Sequence, residues 1–284
     1  MTKIVLITGT STGLGISIAV QAAQAGHTVY ATMLNLAKRE ALDAAAEAAG
    51  VTLKVLPLDV QDTDSVDAAV AQVIEEQGRI DTLVNNAGMG YARSLEQAEE
   101  ADVARILDIN YMGVVRCTKA VMPHMRKARS GHVINISSVG GLVGQPFNEV
   151  YCGAKFAVEG LTEAMASYIT PSFGINFTAV ESGGIASEFA NTVLKQIADT
   201  GGMLEDEYLP ILQKYVANAQ SRQGSGVYQT ADEVAAVVLR EMESEAPALR
   251  CRTSDWGEEF TRLKTGLDPD GRKLQRMVTE QILG

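Results

Sequence analysis

The sequence predicts an α/β protein: a doubly wound parallel sheet in three layers, α/β/α, within a single domain spanning residues 1–284. Three observations predict it. Short β-branched or apolar runs alternate with helical stretches six times between Lys3 and Val180, and such alternation calls for a parallel sheet with crossover helices on both faces. The turn after the first run, Thr8-Gly9-Thr10-Ser11-Thr12-Gly13-Leu14-Gly15, is glycine-rich and leads directly into an alanine-rich helix. Hydrophobic residues make up 46% of the chain, enough to cover both faces of a sheet.

The elements follow in order. Lys3 to Thr8 reads as a buried strand. The helix after the glycine turn runs to about Ala25 and is closed by Gly26. Thr28 to Thr32 is the second strand, and Leu36 to Ala49 a helix ended by Gly50. Leu53 to Leu58 is the third strand, followed by Asp59-Val60. Thr63 to Gln77 places Val66, Val70, Val73 and Ile74 on one helical side. Asp81 to Val84 is the fourth strand, with Asn85-Asn86-Ala87-Gly88 after it. A long helical region spans about Gln97 to Ala128, and Ser94-Leu95-Glu96-Gln97 has the form of its capping box. His132 to Ser137 is the fifth strand. The next helix carries Tyr151 and Lys155 and should break at Pro171 and Gly174, before the sixth strand, Ile175 to Val180.

Beyond Val180 the pattern loosens. Residues 186–228 hold two helical pieces, about Val193 to Ile197 and Leu209 to Ala219, broken by Gly201-Gly202 and Gly224-Ser225-Gly226. An insertion of this kind at the ligand edge is a candidate lid or an ordinary surface excursion. Thr230-Ala231-Asp232-Glu233 is a capping box that opens an amphipathic helix. Leu249 to Thr253 reads as a final strand, and the tail from Trp256 is helical and polar, interrupted at Asp268-Pro269-Asp270-Gly271.

Composition excludes several classes of function. A net charge of −11 repels nucleic-acid phosphates and suits a cytoplasmic protein. Cys117, Cys152 and Cys251 are scattered and odd in number, so they form neither a disulfide framework nor a metal motif. His27, His124 and His132 are isolated, which leaves no zinc site. No apolar stretch has the length of a membrane span, and the N-terminus lacks the pattern of a signal peptide.

Chemistry concentrates where strands end. Ligands of doubly wound sheets bind outside the carboxyl ends of the strands. Gly9 to Gly15, Asp59, Asn85 to Gly88 and Ser137-Ser138 all follow strands there. Glycines let backbone approach a pyrophosphate, and a helix N-terminus offers free N–H groups with partial positive charge. Tyr151 and Lys155 stand four apart, one turn along a helix face. A tyrosine has a pKa of about 10, and bringing it near 7 takes roughly 3 units, or about 4 kcal/mol. An adjacent ammonium favours the phenolate, and a cationic cofactor ring would add to it. The pair is therefore a candidate proton donor and acceptor for a carbonyl or alcohol.

Together these residues resemble the short-chain dehydrogenase/reductase (SDR) family over roughly Thr2 to Glu243, with its motifs in the family's order. Thr8 to Gly15 is similar to its T-G-x-x-x-G-x-G cofactor loop, and Asn85 to Gly88 to its N-N-A-G element. The resemblance implies a Rossmann-like fold and an NAD(P)-dependent oxidoreductase. It assigns cofactor contacts to Gly9, Ser11, Thr12, Gly13, Leu14, Gly15, Leu34, Asp59, Val60, Asn86, Ala87, Gly88, Tyr151, Lys155, Ile185 and Ser187. It implies a catalytic tetrad of Asn110, Ser138, Tyr151 and Lys155, with Ser138 thirteen residues before Tyr151. Tyr151 would exchange the proton, Lys155 would depress its pKa and bind the nicotinamide ribose, Ser138 would hold the substrate oxygen, and Asn110 would hold a water. Hydride would pass between nicotinamide C4 and the substrate carbon.

Two departures from the family pattern bear on this. Ser182-Gly183 stands where Pro-Gly is common and should loosen that turn. After the second strand stand Met33-Leu34-Asn35, with neither the acid near Met33 that marks NAD preference nor the arginine near Leu34 that marks NADP. The missing acid favours NADP, dual use stays open, and Lys38 and Arg39 lie just beyond. The substrate pocket should draw on Ser138, Val143, Phe147, Tyr151, Gly183 and Phe189, with Met89, Tyr91 and Gly140 nearby, and so suit a hydrophobic ketone or secondary alcohol. A redox-sensing binding protein without turnover, and an epimerase or dehydratase that recycles its cofactor, are the alternatives. The helices at roughly Asp102 to Ala128 and Tyr151 to Ile169 resemble those that pair subunits in the family, which implies a homodimer or homotetramer.

Overall fold

A computed structural model describes residues 1–185, 197–198, 202–221 and 227–283. Its seven strands are β1 (Ile4–Ile7), β2 (Thr28–Met33), β3 (Lys54–Pro57), β4 (Thr82–Asn85), β5 (Gly131–Ile136), β6 (Ile175–Glu181) and β7 (Arg250–Arg252). They form one sheet in the order β3-β2-β1-β4-β5-β6-β7, and every pairing is parallel. The order reverses between β1 and β4, the crevice where a ligand settles in sheets of this kind.

Alternation along each strand builds two cores. Val5, Ile7, Val29, Ala31 and Val84 face α1 (Gly13–Gln24), α2 (Glu40–Ala49) and the helix after the insertion, α8 (Ala231–Glu243). Ile4, Leu6, Tyr30, Leu83 and Val133 face α3 (Thr63–Gln77), α5 (Gly113–Ala128) and α6 (Glu149–Phe173). Neighbours in sequence thus point to opposite layers, as a sheet buried on both faces requires. The remaining helices are α4 (Glu100–Leu107), α7 (Leu209–Ser221), α9 (Asp255–Thr265) and α10 (Arg272–Leu283).

Three local expectations are corrected. Pro171 does not break α6, which runs on to Phe173 and ends at Gly174 in the left-handed conformation (φ 70°). A proline leaves the carbonyl four residues back without its helical donor. Here that carbonyl belongs to Ser167, and the Thr279 hydroxyl of α10 donates to it at 2.6 Å. Ser94 caps only a 3-10 turn, Leu95–Gln97, and the long helix starts later, at Glu100. Between α4 and α5 the helix widens into a π turn, Asp108–Met112, a feature often found at functional sites.

The capping box at α8 forms as expected. The Glu233 backbone donates to the Thr230 hydroxyl at 3.2 Å, and Thr230 N–H donates to the Glu233 carboxylate at 2.7 Å. Thr230→Ala should cost about 1 kcal/mol and lower Tm by about 2 °C in a chain of this size. A thermal melt with no shift would show that α8 is held by packing alone.

Candidate active site

The glycine turn is clamped to the end of β4. The Thr8 hydroxyl accepts from the backbone N–H groups of Asn86 (3.1 Å) and Ala87 (3.0 Å). The Asn86 amide donates to the carbonyls of Thr8 and Gly9, both at 2.9 Å. A Cβ on Gly9 would lie 2.7 Å from Ala87 Cα, and one on Gly15 would lie 2.3 Å from the Gly9 carbonyl oxygen. Gly9 and Gly13 also have positive φ, 72° and 55°. Only glycine fits at such a close approach.

The turn delivers Ser11, Thr12 and Gly13 to the start of α1, with Leu14 buried behind them. Thr12 caps that helix without a side-chain bond, and the first turn carries no acid. Its N–H groups are therefore available to an anion, and the helix dipole favours one. This cradle fits the pyrophosphate of a dinucleotide.

Other predicted cofactor residues border the same edge. Asp59 stands past β3 and accepts from the Gln61 N–H at 2.9 Å. Gly113 presses on Val60, whose carbonyl accepts from Arg116 at 3.0 Å. Arg116 also pairs with Asp108 at 2.6 Å, so the Asp59-Val60 loop is tied to the π turn. Met33 is buried, whereas Leu34 is 70% exposed and open to a ligand. Arg39 is exposed but paired with Asp43 (2.7 Å), and the neighbouring Lys38 is exposed beside it.

The predicted tetrad comes together. Ser138 leaves the end of β5, and its hydroxyl accepts from Gly140 N–H at 3.0 Å and hydrogen-bonds Tyr151. Tyr151 and Lys155 occupy the first two turns of α6, with the Lys155 ammonium 5.7 Å from the Tyr151 ring centroid. Lys155 is buried and donates to the Ile136 carbonyl at 2.8 Å. Asn110 lies in the π turn, and its amide exchanges two bonds with the Met89 backbone, at 2.8 and 2.9 Å. A Cβ on Gly88 would come within 2.8 Å of Asn110 Oδ1 and 3.8 Å of Lys155 Nζ. Gly88 thus lets the two side chains converge. Each polar group of the Asn110 amide bonds the Met89 backbone, so the side chain also holds that loop in place.

The electrostatics run against one expectation. Burial pushes the Tyr151 phenol up to about 12, with only partial relief from the Ser138 hydrogen bond. The Lys155 ammonium, 5.7 Å from the ring centroid, does not offset that burial. That ammonium is turned to a backbone carbonyl, and burial lowers its own pKa to about 8. Desolvation outweighs charge–charge attraction in this arrangement. The phenol therefore keeps its proton at neutral pH, as suits a proton donor.

The turn after β6 is held by its backbone. The buried Ser182 carbonyl accepts from Val139 N–H at 2.9 Å, which joins it to the Ser138 turn. A Cβ on Gly183 would lie 3.2 Å from the Trp256 ring, so Gly183 serves the packing of Trp256. Gly184 is pressed against Tyr228, and Ile185 bridges Gln229.

On the substrate side, Val143 is half-buried and Phe147 is buried with φ at 61°. Such a conformation is strained for a non-glycine residue and tends to mark sites where geometry matters. Ser187 and Phe189 lie outside the described residues, as do residues 186–196, 199–201 and 222–226 of the expected lid. Tyr91 is not in the pocket but in a small core with Ile106 and Val150.

Several residues the sequence did not mark anchor the described part of the insertion. The buried Arg93 guanidinium donates to the carbonyls of Gly202 (2.8 Å) and Ile197 (3.3 Å), while its backbone N–H donates to Phe147. The Asn148 amide donates to the Tyr215 hydroxyl of α7 at 2.7 Å, and Phe147 lies 5.9 Å from the Tyr215 ring. An arginine amid apolar neighbours in the loop after β4 was the available signal.

A family model described as "short chain dehydrogenase" matches residues 3–198. The chain is 38% identical to retinol dehydrogenase 8 of Homo sapiens, over 99% of this chain and 90% of that protein. It is 36% identical to 17-beta-hydroxysteroid dehydrogenase type 1 of Homo sapiens, over 99% and 86% respectively. Among solved structures, a short-chain dehydrogenase from Streptomyces avermitilis superposes with a TM-score of 0.77 at 29% identity, over 99% of this chain and 97% of that one.

Proposed function

The chain belongs to the short-chain dehydrogenase family, an enzyme family of NAD(P)-dependent oxidoreductases, and from that premise we propose that it reduces a hydrophobic ketone, with Tyr151 as general acid. The observation that carries this reading is the meeting of Ser138, Tyr151, Lys155 and Asn110 beside the glycine cradle. Bound NAD(P)H would supply the hydride. The first turn of α1, with Ser11 to Gly15, would hold its pyrophosphate, Asp59 and Val60 its adenine end, and Lys155 and Asn86 to Gly88 its nicotinamide end.

The residues divide the remaining work. The Ser138 and Tyr151 hydroxyls grip the carbonyl oxygen and fix its orientation. Tyr151 then gives its proton to that oxygen as negative charge develops. An alkoxide is more basic than a phenolate, so the transfer runs downhill. The Lys155 ammonium stabilises the phenolate left behind. Oxidation of the alcohol runs the same steps backward and needs Tyr151 to lose its proton first, so high pH favours it.

Retinol and a 17-beta-hydroxysteroid, the substrates named for the two relatives, are both lipophilic. Val143, Phe147 and the ring of Tyr215 give this chain an apolar wall of the same character. The described part of the insertion, with Tyr215 of α7 beside Phe147, would serve as a lid over the substrate. Exposed Leu107, Met112, Phe156 and Tyr168 on α4 to α6 support a homodimer or homotetramer. No described helix is long and apolar enough to cross a membrane; the strongly acidic composition supports a cytoplasmic assignment.

Aromatic, cyclic and steroid-like ketones, assayed with NADPH and separately with NADH, test this reading. Turnover should favour NADPH, because no acid near Met33 opposes a 2′-phosphate. Leu34→Asp places a carboxylate at the exposed corner. It should lower kcat/KM for NADPH about tenfold, roughly 1.4 kcal/mol, and leave NADH nearly unchanged. A wild-type enzyme that prefers NADH overturns the cofactor assignment, and absence of turnover with every ketone overturns the activity.

A further inference from the structure

Behind the catalytic turn lies a cluster of buried charged groups for which the mechanism above has no use. Glu159 and Glu181 are 6% and 0% exposed, one on α6 and the other at the end of β6. Their carboxyl groups are within hydrogen-bonding reach of each other. Glu181 is paired with the buried Arg252 at 3.0 Å, and Arg252 with Glu258 of α9 at 3.0 Å. Arg250 is paired with Glu163 at 2.6 Å.

The polar atoms without a hydrogen-bond partner collect here. Among the described residues, Glu181 Oε1, Arg250 Nε and Arg252 Nε are buried without a partner, while Ser137 Oγ and Glu159 Oε1, also buried, have each other within reach. Buried polar groups are rarely left so. A proton held between the two carboxyls would turn one acceptor into a donor and satisfy the other. Two buried like charges at this separation cannot both persist, and Arg252 favours the anion on Glu181. Glu159 is therefore the carboxyl that holds the proton, and burial beside the Glu181 charge keeps it well above the usual carboxylate range.

This acid touches the machinery on two sides. A Cβ on Gly141 would meet Ser137 Oγ at 2.8 Å and Glu159 Oε1 at 3.1 Å. The Glu159 carboxyl thus sits beneath the turn that carries Ser138. Lys155 precedes Glu159 by four residues on the same face of α6, and negative charge on Glu159 would hold the proton on Lys155. The charged groups facing Glu159 are Lys155 and Glu163 from α6, Glu181 from β6, and Arg250 from β7, with Arg252 and Glu258 behind Glu181.

We propose that Glu159 is a positioning residue: with Glu181 it forms a carboxyl pair sharing one proton that supports the Ser138 turn and supplies the counter-charge for Lys155. The proposal deepens the reductase reading and rests on it for the kinetic half of its test. Near neutral pH the pair carries one negative charge. As pH rises, Glu159 ionises beside Lys155 and keeps the ammonium charged beyond the pH at which burial alone would discharge it.

The variant Glu159→Gln keeps size and hydrogen-bonding capacity but cannot ionise. It should fold with a Tm close to wild type. Its alkaline limb for ketone reduction should move about one pH unit toward acid, a tenfold change in the protonation constant of Lys155. Infrared spectra of the cofactor-free proteins give a second readout. Wild type should show the carbonyl band of a protonated carboxylic acid at neutral pH, and Glu159→Gln should lack it. Glutamate labelled at the carboxyl carbon in wild type keeps this arm usable if the variant does not fold. No such band in wild type, or an active variant with an unmoved limb, overturns the proposal. Should wild type reduce no ketone, the reductase reading fails and the infrared band alone decides the carboxyl pair.

Discussion

Tyr151→Phe is expected to lower kcat for ketone reduction by about 10²–10⁴-fold, the usual contribution of a positioned general acid, or roughly 3–5 kcal/mol. The substitution removes one oxygen from a ring held by α6 and leaves the glycine cradle intact. Cofactor affinity should stay within about threefold, so the loss falls on kcat. The Ser138 hydroxyl loses its Tyr151 partner but keeps its bond from Gly140 N–H, so the turn persists. The pH profile adds a sign. The phenol holds its proton up to about 12 and Lys155 up to about 8. Wild-type reduction should therefore be level below about 8 and fall above it, as the ammonium loses its charge. Stopped-flow single turnovers with saturating NADPH would read the chemical step directly. A variant within tenfold of wild type would remove Tyr151 from the reaction.

Gly15→Ala carries the second large effect. The added Cβ would sit 2.3 Å from the Gly9 carbonyl oxygen and 2.7 Å from Asn86 Nδ2. The first obstacle is backbone and cannot step aside. The second is the amide that holds the Thr8 and Gly9 carbonyls. Making room for the methyl would break that clamp and pull the turn away from the start of α1. Affinity for NADPH should fall at least about 100-fold, roughly 2.7 kcal/mol, with a Tm several degrees lower. Gly26→Ala is the matched control. Gly26 has φ of 86° but nothing within 4 Å of an added Cβ, so it should cost about 1 kcal/mol of stability and leave cofactor binding alone. Quenching of protein fluorescence by NADPH measures both. Equal affinity for Gly15→Ala and wild type would show that the cradle does not hold the pyrophosphate.

Much of this molecule is legible in local pattern. The strands of β1 to β6 sit within two residues of where their β-branched runs place them, because the inner strands bury both faces and leave an apolar word, while the edge strand β3 buries only Leu56 fully. Gly26, Gly50, Gly78 and Gly174 close turns or helices in left-handed geometry, which little but glycine adopts at low cost. Thr230 and Glu233 cap α8 through bonds only three residues apart. The spacing from Ser138 to Tyr151 and Lys155 places the three at one site because the connection from β5 folds back through a 3-10 turn at Ser138 and α6 opens at Glu149.

Where the sequence misleads, the missing information lies far along the chain. Pro171 should end a helix, yet α6 continues, and Thr279, over a hundred residues away, donates to the carbonyl the proline leaves without its helical partner. Arg93 looks like a loop residue until the insertion brings the Gly202 and Ile197 carbonyls to it. Glu159 and Glu181 interrupt apolar stretches, a sign that something holds them, but the partner of each is set by the packing of β6, β7 and α6. The sequence by itself determined the layers, the glycine cradle and the membership of the site, since these depend on periodicity and short spacings. Tertiary structure alone decided the direction of each pKa, because a charge responds to burial and to neighbours through space, and neither is written in the order of residues.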